Sequence, residues 1–213
     1  MSTPTPLGLP ALDDLAWPIS GRAAEVAAAL RSRQPVDLDD PMGVVGGDLP
    51  ENLVRAAEAP AARVVVTDMD PALVVGMSPI PVAVLTPPTL VVGVGLRDGV
   101  DAATLRGHVD RVLADNLLAA AALAALATVD GKADDPQVQA FADGLGVPVR
   151  ALPAETLDAQ AVPTPSDVVA DAVGTRSVAE AAVLACGARL VVPKHVSGSS
   201  TVAVGRLAPE ELS

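Results

Sequence analysis

Three short stretches of this chain gather the residue types that bind anions or move protons. The first is Gly93-Val94-Gly95-Leu96-Arg97-Asp98-Gly99, expected between a strand and a helix. Glycines there let the backbone approach an anion, and a helix start offers free N–H groups at the positive end of its dipole. The spacing is GxGxxxG, not the dinucleotide GxGxxG, so the nucleotide signal is weak and a tight strand-to-helix connection is an equal account. The second stretch, Thr128 to Asp135, delivers Thr128, Asp130 and Lys132 together at an expected strand end, where α/β sheets bind ligands. On charge alone a solvated loop is the better account of it. The third runs from Pro193 to Thr201 and joins Lys194 and His195 to the small polar run Ser197-Gly198-Ser199-Ser200. A lysine among hydroxyls and glycine can hold a carboxylate or phosphate, and a Gly/Ser hairpin with one exposed cation is the alternative. The chain has two lysines, Lys132 and Lys194, against twelve arginines, and both lysines fall in these stretches.

Other chemistries find less support. No G-x-S-x-G elbow accompanies His195, and His108 is expected on the surface of a helix of mixed polarity. Cys186, alone in the chain, excludes an internal disulfide framework and any multi-cysteine metal site. It follows an apolar helical run and reads as a small hydrophobe. Two histidines do not make a structural zinc site without several carboxylates, so neither a metal nor a cofactor is expected.

The elements that must position these residues follow from patterning. Thr89 to Val94 is a continuous apolar and β-branched run, as in a strand covered on both faces. Asp101 can cap a helix from Ala102 to about Leu118, a second strand or a helix tail covers Ala124 to Val129, and Pro136 to Gly144 is helical. Ser166 reads as an N-cap, and Ser177-Val178-Ala179-Glu180 has the form of a capping box. Arg189 to Val192 and Thr201 to Arg206 close the chain as strands. Before Pro87-Pro88 the signals are weaker. A helix is expected over Gly21 to Arg31, and extended pieces over Met42 to Val45, Arg63 to Thr67 and a proline-broken run from Leu73 to Leu85. Residues 50 to 59 are expected to form a helix. The sum is an α/β fold: a three-layer, mostly parallel sheet with helices on both faces over 89 to 208, preceded by a small α/β region over 11 to 86 and a mobile N-terminus over 1 to 10.

Composition bounds the function class. The formal charge is −12, and no Lys/Arg cluster offers a basic face, which argues against nucleic acid and anionic membrane surfaces as partners. The longest apolar runs are too short to span a bilayer, and no basic n-region precedes an apolar segment, so the expected location is the cytoplasm. Trp17 and Phe141 are the only aromatic residues, so the core must be closely packed Ala, Val and Leu.

Taken in order, these stretches resemble the C-terminal domain of the CbiG/CobE family of cobalamin (vitamin B12) biosynthesis. That family carries GIGCRRG-, TIDLKADE-, VPNPSEVV-, VGTPSVAEAAA- and VPKxKSGxATVA-type motifs. Their counterparts here are Gly93 to Gly99, Thr128 to Asp135, Val162 to Val169, Val173 to Ala182, and Val192 to Ala203. Residues 11 to 85 resemble, more loosely, the middle region of CbiG. Leu96, Asp98, Thr164 and Val196 depart from the motifs, and Leu96 removes a thiol role at that position. The N-terminal CbiG domain has no counterpart in this sequence.

The resemblance implies a precorrin-5-level tetrapyrrole as partner, with other cobalamin-pathway enzymes as further partners. In the family, the hydrolase opens the ring-A δ-lactone of cobalt-precorrin-5A and releases acetaldehyde. The expected binding set is Gly93, Gly95, Arg97, Gly99, Thr128, Ser166, Thr175, Arg176, Ser177, Glu180, Ser197 and Gly198. Asp130 is the expected acid/base, with Lys132 and Lys194 holding carboxylates or a developing oxyanion. A non-catalytic tetrapyrrole-binding or handover module, serving a pathway methyltransferase or a separate hydrolase domain, is the alternative.

Overall fold

The computed structural model describes residues 6–97, 99–164 and 177–212. The chain divides into two compact units, Met1–Pro88 with Leu117–Ala122, and Thr89–Asn116 with Leu123–Ser213.

The first unit opens with a short helix α1 (Pro10–Asp13) and strand β1 (Ile19–Gly21). Helix α2 (Ala23–Arg31), strands β2 (Val36–Asp39), β3 (Leu53–Val54) and β4 (Ala62–Val66), helix α3 (Pro71–Gly76) and strand β5 (Val82–Leu85) follow. The sheet order is β1-β5-β4-β2-β3, parallel throughout except for β1 against β5. The apolar stripe of α2 (Val26, Ala29, Leu30) meets Val36, Leu38, Val64, Val66 and Leu85 in one core, against which Trp17 packs partly buried.

Three expectations for this unit are corrected. The strand lies at Val36–Asp39, not at Met42 to Val45, because the Asp40 carboxylate accepts the N–H groups of Val44 and Val45 and folds that stretch into a turn. Residues 50 to 59 hold the short strand β3 in place of a helix. The run from Leu73 is helical at its start, because Asp70 caps Ala72 N at 2.9 Å and Pro71 suits the first helical position.

The second unit carries a five-stranded sheet of β6 (Leu90–Leu96), β7 (Leu123–Val129), β8 (Val149–Leu152), β9 (Arg189–Ser197) and β10 (Ser200–Arg206). Its order is β8-β7-β6-β10-β9: a parallel trio extended at one edge by an antiparallel hairpin. The helices are α4 (Ala102–Asp115), α5 (Asp130–Ala133), α6 (Pro136–Leu145), α7 (Ala154–Asp158) and α8 (Val178–Ala185). Strand alternation sorts the layers. Ser200, on one face of β10, meets His108 of α4, whereas Gly205, on the other face, lies against Val183 of α8. Helices therefore cover both faces.

The caps explain the helix bounds. Asp101 accepts Thr104 N at 2.8 Å and opens α4, and Gly146, at φ +70°, closes α6 two residues past the expected glycine.

Candidate functional site

The site candidates lie where β6 and β7 end and the β9–β10 hairpin turns. Their placement begins with glycine. A Cβ on Gly93 would stand 2.0 Å from the Ala179 carbonyl oxygen, and one on Gly95 would stand 2.4 Å from Thr201 Oγ1. The bare strand surface thus lets the first turn of α8 lie directly on the sheet. Gly93 and Gly95 thus belong to strand β6, not to the turn after it, and are close-packing glycines. Gly99, at φ +85° with open space where a Cβ would point, is the turn glycine.

Helix α8, so docked, carries Glu180 into the interior, fully buried. Its carboxylate accepts from Thr164 Oγ1 at 2.5 Å, Thr164 N at 3.2 Å and Lys194 N at 2.9 Å. Burial pushes the Glu180 pKa up, but these hydrogen bonds, with a contribution from the neighbouring Ser177 hydroxyl, outweigh it and hold the group below the usual carboxylate range. Glu180 is therefore ionised at neutral pH. The expected capping box is corrected as well: the Ser177 hydroxyl makes no cap hydrogen bond, and Glu180 turns to Thr164 and Lys194.

The Lys194 N–H is available to Glu180 for a local reason. Strand β9 pairs His195 with Val202 and then Val192 with Val204, so Pro193 and Lys194 together oppose Ala203 in a bulge. Proline has no ladder donor, and β9 is an edge strand, where such irregularity is tolerated. The lysine ammonium then donates to the Thr164 carbonyl at 2.8 Å. Glu180, Thr164 and Lys194 form one connected group, with Val196 exposed two residues along the same strand.

Of the remaining predicted residues, Arg97 is exposed, and its N–H donates to Ser199 O at 2.9 Å, tying the end of β6 to the hairpin tip. Ser197 ends β9 opposite Ser200, and Gly198 opens the two-residue tip Gly198-Ser199, with the φ of +57° that such a hairpin loop requires. Thr128 is fully buried, and its hydroxyl donates to Val94 O at 2.9 Å, so it joins β7 to β6 instead of facing solvent. Asp130 is exposed at the start of α5 and accepts Gly131 N, while Lys132 is half-buried on the same short helix. Ser166, Thr175 and Arg176, like Asp98, lie outside the described residues.

A second polar group went unread in the sequence. His108 is buried at 3% exposure, not on the surface, because α4 turns its inner stripe of Leu105, His108, Val109 and Val112 to the core. Its Nδ1 lies 2.7 Å from Ser200 Oγ and its Nε2 lies 2.9 Å from Nδ1 of the exposed His195. Burial, with the nearby His195 and Arg111, lowers the His108 pKa, so this ring is neutral at pH 7. The signal that could have found it is the helical spacing of His108 with Leu105 and Val112, which places it on the apolar face. Cys186 is half-buried at the end of α8, and burial raises its pKa, in keeping with an inert thiol. Among the described residues, no group of three or more His, Cys, Asp or Glu side chains could hold a metal ion, and no helix is long and apolar enough to cross a membrane.

Comparison with known proteins places this geometry. Residues 90–205 match the family model described as cobalamin synthesis G C-terminus. Protein CobE from a Sinorhizobium species is 34% identical over 120 residues, covering 54% of this chain and 78% of that protein. The crystal structure of CobE, a protein from the cobalamin (vitamin B12) biosynthetic pathway, aligns with a TM-score of 0.52 at 35% identity, over 58% of this chain and 94% of that one. Cobalamin biosynthesis protein chiG from Agrobacterium tumefaciens aligns with a TM-score of 0.45 at 33% identity, over 56% of this chain and 98% of that one.

Proposed function

Because this chain belongs to the CbiG C-terminal/CobE family of cobalamin-synthesis proteins, we propose that its second unit binds a precorrin-5-level tetrapyrrole and assists its deacylation. The observation that carries this reading is the Glu180–Thr164–Lys194 group. A fully buried carboxylate fixes the backbone of Lys194, so the lysine ammonium is held at the protein edge beside the exposed Val196. A tetrapyrrole of this class is an apolar ring fringed with acetate and propionate carboxylates. An ammonium next to an apolar ledge matches one carboxylate and a stretch of ring edge. Arg97, anchored through its N–H to the same hairpin, is a second cation for the fringe.

For the deacylation itself, Asp130 is the proposed acid/base, with Lys132 and Lys194 stabilising the oxyanion that forms as the lactone opens. Incubation with cobalt-precorrin-5A, with acetaldehyde assayed, tests this directly. Release is expected from the parent protein and not from Asp130→Ala, and Lys194→Ala is expected to weaken binding of the macrocycle about tenfold. Equal acetaldehyde from Asp130→Ala would remove Asp130 from the chemistry.

The second reading, a binding or handover module without turnover, is favoured by one specific feature. Asp130 is exposed to solvent, whereas an acid/base is usually sheltered. A spectral change of the macrocycle without acetaldehyde would decide for that reading.

A further inference from the structure

His108 of α4 and His195 of β9 meet ring to ring, Nε2 to Nδ1 at 2.9 Å, with ring centroids 5.1 Å apart. A contact of this length between two imidazole nitrogens holds one proton. Two bare nitrogens would repel through their lone pairs, and two N–H groups would collide. Which ring donates is immaterial to this count. A neutral pair satisfies it, and so does a pair with one added proton, because one ring can carry the charge while the other accepts. When both rings are imidazolium, both facing nitrogens bear hydrogen and the contact cannot exist.

The surroundings supply no negative charge to hold a second proton. His108 is buried, and its other nitrogen, Nδ1, lies 2.7 Å from the Ser200 hydroxyl of β10. Burial, the His195 ring and the Arg111 guanidinium one turn along α4 all oppose its protonation. Of the other charges on α4, Arg106 and Asp110 pair with each other in solvent. Lys194, beside His195 in β9, turns to the opposite face of the strand and bonds Thr164. Among the described residues, no ion pair joins either ring to a carboxylate. β9 is an edge strand with β10 as its one neighbour in the sheet, so the His195 contact fastens that edge to α4.

We propose that the His108–His195 contact is an acid-sensitive latch that fastens the edge strand β9 to helix α4 and opens when both rings are protonated. The pair takes up its protons in two steps that belong to it jointly, and the second step opens the latch. The sign follows from His108. Its folded pKa lies below the ordinary 6.5, so the latch is closed above that value and opens as pH falls through the lowered pKa. One proton taken up on opening raises the open population by at most about tenfold per pH unit. Lys194 lies in the same strand, so its N–H bond to Glu180 loosens with it. The latch needs no ligand to operate.

Hydrogen exchange of the full chain, followed by NMR at about pH 7.5 and about pH 5.5, tests the latch. This range lies above the one in which Glu180 takes up a proton. Protection factors, which exclude the intrinsic pH dependence of exchange, are expected to fall severalfold along β9 in acid while those of β7 hold. His195→Asn sets an amide at the position of Nδ1, able to donate or accept but not to titrate. Its β9 is expected to match the parent at the higher pH and to lose severalfold less protection at the lower one. A second readout on the unaltered chain is the ¹⁵N–¹⁵N coupling through the shared proton, expected at neutral pH and lost as β9 opens. Unchanged β9 protection in the parent overturns the latch, as does coupling that persists while β9 opens. Equal loss in parent and His195→Asn also overturns it, because burial of His108 alone would then account for the acid sensitivity. Parallel loss along β9 and β7 means global unfolding and overturns it as well.

Discussion

Glu180 is ionised in a place from which water is excluded, and its three hydrogen bonds from Thr164 and Lys194 are what make that tolerable. Replacing it by glutamine turns part of an acceptor into a donor opposite donors, at a cost of about 2 kcal/mol at neutral pH. The pH dependence has a definite sign. The folded pKa lies below the ordinary 4.5, so the stabilisation is complete above that value and is lost as pH falls through the lowered folded pKa. Urea denaturation midpoints of the parent and Glu180→Gln are thus expected to differ at neutral pH and to converge in acid. A constant difference across that range would mean that the carboxylate charge contributes nothing. In the proposed function, Glu180 would act on ligand only through Lys194, as a positioning residue. In Glu180→Gln the Lys194 ammonium should therefore lose its alignment before the fold is lost.

At the scale of elements, the close seat of α8 on β6 decides where Lys194 and Thr164 meet. Gly93 is the residue that permits it, with the Ala179 carbonyl 2.0 Å from where a Cβ would stand. The obstacle is backbone, not the tip of a flexible side chain, so Gly93→Ala must lift the helix. A loss of about 3 kcal/mol is expected, at the upper end of ordinary overpacking, read as a lowered urea midpoint with unchanged slope. An exposed glycine with open space around it, such as Gly144, is the control for the same substitution. The β9 bulge belongs to the same scale: Pro193 withholds a ladder donor at the place where the Lys194 N–H turns to Glu180.

At the scale of the whole molecule, the proposed polycarboxylate ligand would meet a net charge of −12. On that reading, long-range repulsion would slow encounter, while the local cations Lys194 and Arg97 would hold what arrives. Salt screens the first effect over the Debye length, about 10 Å at 0.1 M. Stopped-flow association with a carboxylated corrinoid is expected to accelerate severalfold between low and physiological ionic strength, the reverse of a steered pair of opposite charges. Slower association with added salt would imply a cationic surface dominating the approach.

Much of this molecule is set by its sequence alone. The apolar β-branched run before Gly95, the Asp101 cap and the proline and aspartate at Asp135-Pro136 fix strand, helix and turn by local sterics and hydrogen bonding, and they appear where expected. The ordered motifs from Gly93 to Ala203 also carry the family, because residue order is a property of the chain. Local rules mislead where a segment's partners are distant. Met42 to Val45 has strand-like residues but is turned by Asp40, and Val36–Asp39 becomes a strand only by lying between β3 and β4. The same holds for the site. Glu180, Thr164 and Lys194 are 14, 16 and 30 residues apart in the pairs that bond, and His108 meets Ser200 across 92. No periodicity encodes such separations. Only the docking of α8 and α4 on opposite faces of one sheet turns a capping-box glutamate into a buried carboxylate knot, and an expected surface histidine into a buried one.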